Sequence, residues 1–428
     1  MVGAILIFAV TYLAIAGRRL RILPVGRPAA GLMGAVACVI FGILTPEQAY
    51  ASIDGDTIVL LLGMMILAAH LDHAGFFEWG AAVALRRART PQRLLWFVVF
   101  GAGITSAFLL NDSVCLMMTP LVVRLIRRGR LSPVLFLMAL ATSANIGSVM
   151  TLVGNPQNMI VGSMSGISFR YFFLVMAPVG LAGLLLNRLL LPRFYPMRVP
   201  ATAGAARQAE WLESPFDDAD ELPSDFRHTI VPRLRRGLLA KCLVCTGLAV
   251  IGFFAGFNIA WTALGAAALL LLVAGWEPQK AFKMVDWPLL LFFAGLFIVV
   301  GGLRQAGVAS ACFRLLAPWL GHDVTQQGWG LAGFTILGSN LFSNVPFVLV
   351  AGEWIPSLVR PEVGWLILGM ASTLAGNLTL IGSVANVLVV EGGREVVEIG
   401  FGTYLRYGVV ITILTTLIGT AWILWVAA

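Results

Sequence analysis

Apolar runs long enough to cross hydrocarbon recur along the whole chain, and short arginine-bearing stretches separate them. Residues 1–17, 28–43, 57–73, 171–187, 237–256, 259–275, 287–303 and 403–426 read as uninterrupted spans. Four other apolar segments are broken by polar residues and glycine. N-D-S (111–113) interrupts 94–123, and T-L-V-G-N-P-Q-N (151–158) interrupts the span that starts at Leu131. S-N-L-F-S-N (339–344) lies within 328–351, and T-L-I-G-S-V-A-N (379–386) within 364–390.

Basic clusters set the expected topology, because short cytoplasmic loops are enriched in lysine and arginine. Arg18, Arg19, Arg21 and Arg27 place the loop after the first span inside and the N-terminus outside. The acidic loop with Glu47, Asp54 and Asp56 lies outside, and Arg86, Arg87, Arg89 and Arg93 mark the return. The segment 94–123 has basic clusters at both ends, the second being Arg124, Arg127, Arg128 and Arg130. Both ends are therefore inside, and the segment is expected to be a re-entrant hairpin with its polar tip at membrane depth. Residues 131–166 form a broken span. Residues 76–90 and 308–320 are expected to lie along the interface as amphipathic helices.

The second half repeats the first. L-T-P-E-Q-A-Y-A-S-I-D (44–54) aligns without gaps to W-E-P-Q-K-A-F-K-M-V-D (276–286), and at the same offset of 232 Gly63 meets Gly295. S-A-F-L-L-N (106–111) meets S-N-L-F-S-N (339–344) at 233, and the two T-L-x-G stretches coincide at 228. A tandem duplication follows: 1–192, a mixed-charge linker over 193–236 expected in the cytoplasm, and 237–428. Five crossings plus a hairpin is an odd number of traverses, so the second copy is inverted and both termini lie outside. The expected fold is all-α and polytopic: about ten transmembrane helices, two hairpins (94–123 and 328–351) and a broken helix in each half (131–166 and 364–390).

Composition agrees: 59% of the 428 residues are hydrophobic and 12% charged, with mean hydropathy +0.90. Met1–Gly17 lacks a basic leader and a cleavage pattern and reads as a retained span. The net charge of +8 belongs to the loop arginines and does not point to a nucleic-acid partner; the lipid bilayer is the partner that composition indicates. The five cysteines show no disulfide framework, and Cys242-x-x-Cys245 lacks a second pair to complete a metal site. His70-x-x-His73 reads as an interfacial cluster. No cofactor or metal is expected, and no His-Glu-x-x-His or Ser/His constellation suggests an enzyme.

Non-helical backbone at membrane depth is tolerated only where protein or a wet cavity satisfies it. Two hairpin tips and two helix breaks related by a repeat therefore point to one binding site. Helix N-termini there offer donors and partial positive charge, and asparagine both donates and accepts. The candidate binding residues are Asn111, Asp112 and Ser113 at the first tip and Asn340, Ser343 and Asn344 at the second. From the breaks come Thr151, Gly154, Asn155 and Asn158, and then Asn377, Thr379, Gly382, Ser383 and Asn386. Asp112 is the expected proton-coupling group. A buried acid costs roughly 2.5–3.5 kcal/mol on insertion scales, and desolvation suits it to carry a proton between the two sides. Cys115 is expected to pack the hairpin. No lysine or arginine occurs in any interruption, so a multiply charged anion would lack a counter-cation there.

N-D-S-V-C-L-M-M-T-P (111–120) and A-N-I-G-S-V-M-T-L-V-G-N-P-Q-N (144–158) resemble the ion transporter superfamily. This group holds the arsenite permeases (ArsB), NhaD-type sodium/proton antiporters and divalent anion/sodium symporters. H-A-G-F-F-E-W (73–79) and the Asn111–Asp112 pair look most like the arsenite permeases. The tips lack the Ser-Asn-Thr of the divalent-anion symporters. The resemblance implies a proton-exchanging efflux carrier for arsenite or antimonite in a bacterial inner membrane. It also implies that some members work with a cytoplasmic ATPase subunit; a homodimer is a further expectation. A sodium/proton antiporter is the alternative, followed by an anion symporter and then an ion channel.

Overall fold

The computed structural model describes residues 1–19, 26–197 and 234–427, and all regular structure in them is helical. The first half runs through α1 (Val2–Arg19), α2 (Arg27–Ile40), α3 (Pro46–Ala51), α4 (Gly55–His73) and α5 (Phe76–Arg87). It continues with α6 (Pro91–Phe108), α7 (Asn111–Gly129), α8 (Pro133–Ser148), α9 (Pro156–Ser165) and α10 (Phe169–Phe194). The second half begins with α11 (Arg236–Phe254), α12 (Ile259–Val273), α13 (Pro278–Lys283), α14 (Trp287–Gln305) and α15 (Val308–Leu320). It ends with α16 (Val324–Phe342), α17 (Asn344–Gly352), α18 (Pro361–Ala375), α19 (Val384–Gly392) and α20 (Phe401–Ala427). The two series correspond element by element. The central part of the expected linker, 198–233, lies outside the described residues.

The same local chemistry starts corresponding helices. Asp54 accepts from Thr57 N–H to cap α4, and Asp286 accepts from Leu289 N–H to cap α14. Proline opens α3 and α13, and also α8 and α18, where the missing N–H has no carbonyl to serve. The breaks are capped in kind: Asn155 accepts from Asn158 N–H at the start of α9, and Ser383 accepts from Ala385 N–H at the start of α19.

Packing repeats with a two-fold exchange of halves. α2 packs on α14 as α12 packs on α4; α6 packs on α8 as α16 packs on α18. α7 packs on α19 as α17 packs on α9, and α10 meets α20 across the pseudo-axis. The molecule is thus the inverted-repeat, all-α polytopic fold expected from the sequence. Five described helices are long and apolar enough to cross a membrane unaided, among them α4, α14 and α20. α2 is shorter: its 14 residues rise about 21 Å, less than a ~30 Å hydrocarbon core. α8 from Leu135 and α18 from Val363 are buried on every side, which explains why both read as apolar all round with no charged residue.

Gly63 and Gly295 match in the repeat because both sit at helix crossings without room for a side chain. A Cβ on Gly63 would lie 2.8 Å from the Ala263 backbone carbon, and one on Gly295 would lie 2.6 Å from the backbone carbon of Gly31. Ala263 and Gly31 are themselves repeat partners. Gly63→Val is expected to force α4 off α12 and cost about 1–3 kcal/mol or more. Gly247→Ala on α11, where a Cβ meets nothing within 4 Å, is expected to be neutral. Thermal unfolding of the two detergent-solubilised variants measures the contrast.

Candidate functional site

The four interruptions meet around one cavity of about 230 Å³. The first tip contributes Asn111 and Asp112, the second Ser343, Asn344 and Val345. Pro156 and Gln157 come from the start of α9, and Gly382, Ser383 and Val384 from the break before α19. Each tip faces the broken helix of the other half: α7 lies against α19 and α17 against α9. Asp112 borders the cavity together with Gly382, Ser383 and Val384, so the acid lies beside the start of α19. Four helix N-termini, those of α7, α9, α17 and α19, therefore border one small volume.

The second tip is strained. Ser343 has φ 69° and ψ 152°, a region nearly reserved for glycine, which costs on the order of 1–3 kcal/mol. The neighbouring Asn344 is buried, and its Oδ1 has no partner within the protein. It is a free acceptor at the cavity wall.

The other candidate residues stand behind this wall and hold its shape. Asn158 Nδ2 donates to the carbonyls of Ser148 and Thr151, at 3.0 Å each. Asn386 Nδ2 does the same for Gly376 and Thr379, at 2.7 and 3.1 Å. Both amides are fully buried and replace the helix partners that the break removes. Thr151 Oγ1 donates to Ala107 O and Thr379 Oγ1 to Asn340 Oδ1, tying each break to its own hairpin. Gly154 O accepts from Asn111 N–H at 3.0 Å. Asn155 Nδ2 reaches Ser148 Oγ and Thr373 Oγ1. Asn340 Nδ2 donates to Ala375 O, and Asn377 Nδ2 to Thr142 O. Ser113 is half-buried on α7 and does not border the cavity.

Asn145 is the hub that site reading from the sequence missed, although it lies inside the 144–158 motif. Its Oδ1 accepts from Asn111 Nδ2 at 3.0 Å and from Ser383 Oγ at 3.1 Å. Its Nδ2 donates to Asn377 Oδ1 at 3.0 Å and to Asn386 Oδ1 at 2.9 Å. One buried side chain thus joins the first tip to the second break. Its repeat partner, Thr373, donates to Asn158 Oδ1 at 3.2 Å and accepts from Asn155.

The cavity is not free of cationic residues, as the interruptions alone suggested. Arg27, at the start of α2, borders it, together with Tyr12 of α1 and Asp286, the cap of α14. These come from outside the hairpins and breaks, so no local motif marks them. The cavity edge of Arg27, Pro28, Pro288, Leu289 and Phe292 has a counterpart. Its repeat partners Ile259, Ala260, Asp56, Thr57 and Leu60 border a second cavity, of about 360 Å³, against Met159, Gly162 and Gly166 of the α9 region.

The remaining candidates do other work. His73 stacks on Trp276 with ring centroids 3.9 Å apart, and His70 Nδ1 bonds Ile66 O, so this pair is a packing cluster. Cys115, Cys242 and Cys245 are buried, and Cys115 does not border the cavity.

Comparison with known proteins places this architecture. The citrate transporter family model (CitMHS) matches residues 11–375. The chain is similar to the silicon efflux transporter of Oryza sativa subsp. japonica, 31% identical over 93% of this chain and 92% of that protein. It is similar to the arsenical pump membrane protein of Escherichia coli (strain K12), 25% identical with 89% of each chain covered. In fold it is similar to the Alcanivorax borkumensis YdaH transporter, with TM-score 0.58, 15% identity and coverage of 91% of this chain and 88% of that one. With its apolar helices, inverted repeat and these relatives, the chain is a multi-pass membrane transporter belonging to the citrate transporter (CitMHS) family of the ion transporter superfamily.

Proposed function

We propose that this transporter exports arsenite or antimonite from the cytoplasm in exchange for protons, by alternating access around the cavity between the two tips. The observation that carries the reading is the donor and acceptor set of that small cavity: the unpartnered Asn344 Oδ1, the Asp112 carboxyl, and the N-terminal turns of α9 and α19. Near neutral pH arsenite is mostly the uncharged trihydroxide, a small pyramidal solute that both donates and accepts hydrogen bonds. Its O–H groups suit the free acceptors and its oxygens suit the N–H groups. Relatives named for arsenical pumping and for silicon efflux support the class, because arsenic(III) and silicon both enter neutral water as uncharged hydroxides.

On one side the cavity is bordered by Ile15 of α1, Arg27 at the start of α2 and Asp286, the cap of α14. Arginine placement favours the cytoplasmic side for these ends, with both termini outside; taken as the side from which the cavity fills, in a bacterial inner membrane, this is the loading state for export. Exchange of a neutral solute for one proton draws on the membrane potential, about 2.3 kcal/mol per charge per 100 mV. A homodimer or a cytoplasmic ATPase subunit is compatible with this carrier but is not needed by the cycle.

A second reading is an anion symporter. Arg27 and four helix N-termini at the cavity favour it, as does the citrate transporter name of the family. Against it stands Asp112, a carboxyl that already lies beside the α19 N-terminus where an anion would bind. A third reading, sodium/proton antiport, keeps Asp112 in its role. Proton flux in everted vesicles on adding antimonite, sodium and citrate separately distinguishes all three. The expected result is a response to antimonite; a response to sodium alone or citrate alone would overturn the substrate assignment.

A further inference from the structure

Where the repeat makes the two cavity edges equivalent, their charges differ. Arg27 stands where the far edge has Ile259, and Pro288 where the far edge has Asp56. The edges also meet the broken helices at different heights. The Arg27 edge meets α19 at its start, Gly382–Val384, which the repeat equates with 154–156. The Ile259 edge meets α9 further along, at Met159, Gly162, Ser163 and Gly166, and touches the break itself only at Leu152. Seven residues or so of helix correspond to roughly 10 Å. The body carrying the tips is therefore displaced towards the Arg27 edge. Exchanging the arrangements of the two halves carries the same tips to the Ile259 edge.

We propose that Arg27 is the proton-release residue of this carrier: it faces Asp112 only while the site is open to the cytoplasm, and in the opposite state the same carboxyl meets Ile259 and Asp56. The proposal rests on the proton-exchange reading above. A guanidinium across a small cavity stabilises the ionised carboxylate, so the proton departs towards the cytoplasm and the neutral solute enters. Beside an aliphatic side chain and a second acid the neutral carboxyl is favoured, so a proton is taken up from outside as the solute leaves. Only the Asp112 O–H bond is formed and broken, and one proton moves inward per solute moved outward. The asymmetry between the edges thus tunes proton release and uptake on the two sides, while the proton gradient and membrane potential set the direction.

Asp286 shares the cavity with Arg27, and its carboxylate is engaged with the Leu289 N–H. The elements packed against α7 carry other charged or titratable groups: Asp54, Asp56, His70, Asp72 and His73 of α4 and its cap, Glu78, Arg86 and Arg87 of α5, Arg93 of α6, and Glu391 of α19. None of these borders the cavity, and α8 carries no such group. On α7 itself, Cys115 is buried one turn on, and the arginines lie towards the other end.

The test uses everted vesicles, in which the bath is the cytoplasmic face, and reads the bath pH and lumen pH that give half-maximal antimonite-coupled proton flux. Arg27→Gln is expected to move the bath midpoint alkaline by about one unit, tenfold in proton concentration, with the lumen midpoint unchanged. Arg27→Lys is expected to restore it. Ile259→Arg and Asp56→Asn are each expected to move the lumen midpoint acidic and leave the bath midpoint in place. A wild-type bath midpoint in Arg27→Gln, or equal shifts on both faces, overturns the proposal. If Arg27→Gln does not fold, an unmoved lumen midpoint in Ile259→Arg overturns it. Wild-type flux on sodium alone refutes the substrate reading, and the same midpoints are then read with sodium. Wild-type vesicles silent to both refute the exchange reading and this proposal together.

Discussion

Asp112→Asn is expected to abolish the proton response of everted vesicles to antimonite while antimonite exchange across the membrane continues. Asparagine has nearly the volume of aspartate and its amide oxygen still offers an acceptor beside the start of α19, so the cavity wall is kept. What is lost is the only acid among the tip and break residues that border the cavity. Solute–solute exchange needs no proton, whereas net export against a gradient does. One charge per cycle is worth about 2.3 kcal/mol per 100 mV, so losing it removes roughly a 40-fold concentration ratio at that potential. The measurement is paired: proton flux by a pH-sensitive dye, and labelled-substrate counterflow in the same vesicles. Coupled flux at wild-type level would remove Asp112 from the mechanism. Loss of both activities would make it a binding or folding residue instead.

Asn145→Leu is expected to have the largest effect on stability. Leucine fills a similar volume but strands the Asn111 amide and the Ser383 hydroxyl as donors, and the Asn377 and Asn386 oxygens as acceptors. These groups are nine-tenths or more buried, and an unmet buried polar group costs about 1–3 kcal/mol. Because the four bonds share one side chain, the loss is expected to be on the order of 3 kcal/mol or more. The first tip also loses its tether to the second break, so transport should fall with stability. Thr373→Val, at the repeat-related position, breaks fewer bonds and is expected to be milder. Thermal unfolding in detergent orders the two. A wild-type melting temperature for Asn145→Leu would show that the hub does not hold the site together.

Much of the architecture was legible because the two halves kept the same residues wherever the backbone demanded them. Gly63 and Gly295 match because two helix crossings exclude a Cβ. Thr151 and Thr379 match because each ties a break to a hairpin, and Asn158 and Asn386 match because each feeds two orphaned carbonyls. Their conservation across the repeat was legible, but its reason was not. From the sequence both amides are candidates for the substrate; in the structure each Nδ2 donates to two carbonyls of its own break. A polar residue in a membrane helix break has two candidate partners, solute and main chain, and sequence does not say which one the side chain faces.

Arg27 shows the same limit from the other direction. As a letter it belongs to a basic cluster that reads only as a topology signal, yet at the start of the short α2 it borders the same cavity as Asp112. The sequence by itself determined that the chain crosses the membrane many times, that it is duplicated and inverted, and that four interruptions recur in pairs at the repeat offset. Those properties follow from hydropathy, charge placement and spacing, which are local or periodic along the chain. Only the tertiary structure decided that each tip serves the other half's broken helix, that Asn145 joins them, and which cavity edge carries the cation. These depend on contacts between residues more than two hundred positions apart, such as Asn145 with Asn377 and Asn386. Nothing in the spacing of a single strand of sequence records which distant group fills a given hydrogen bond.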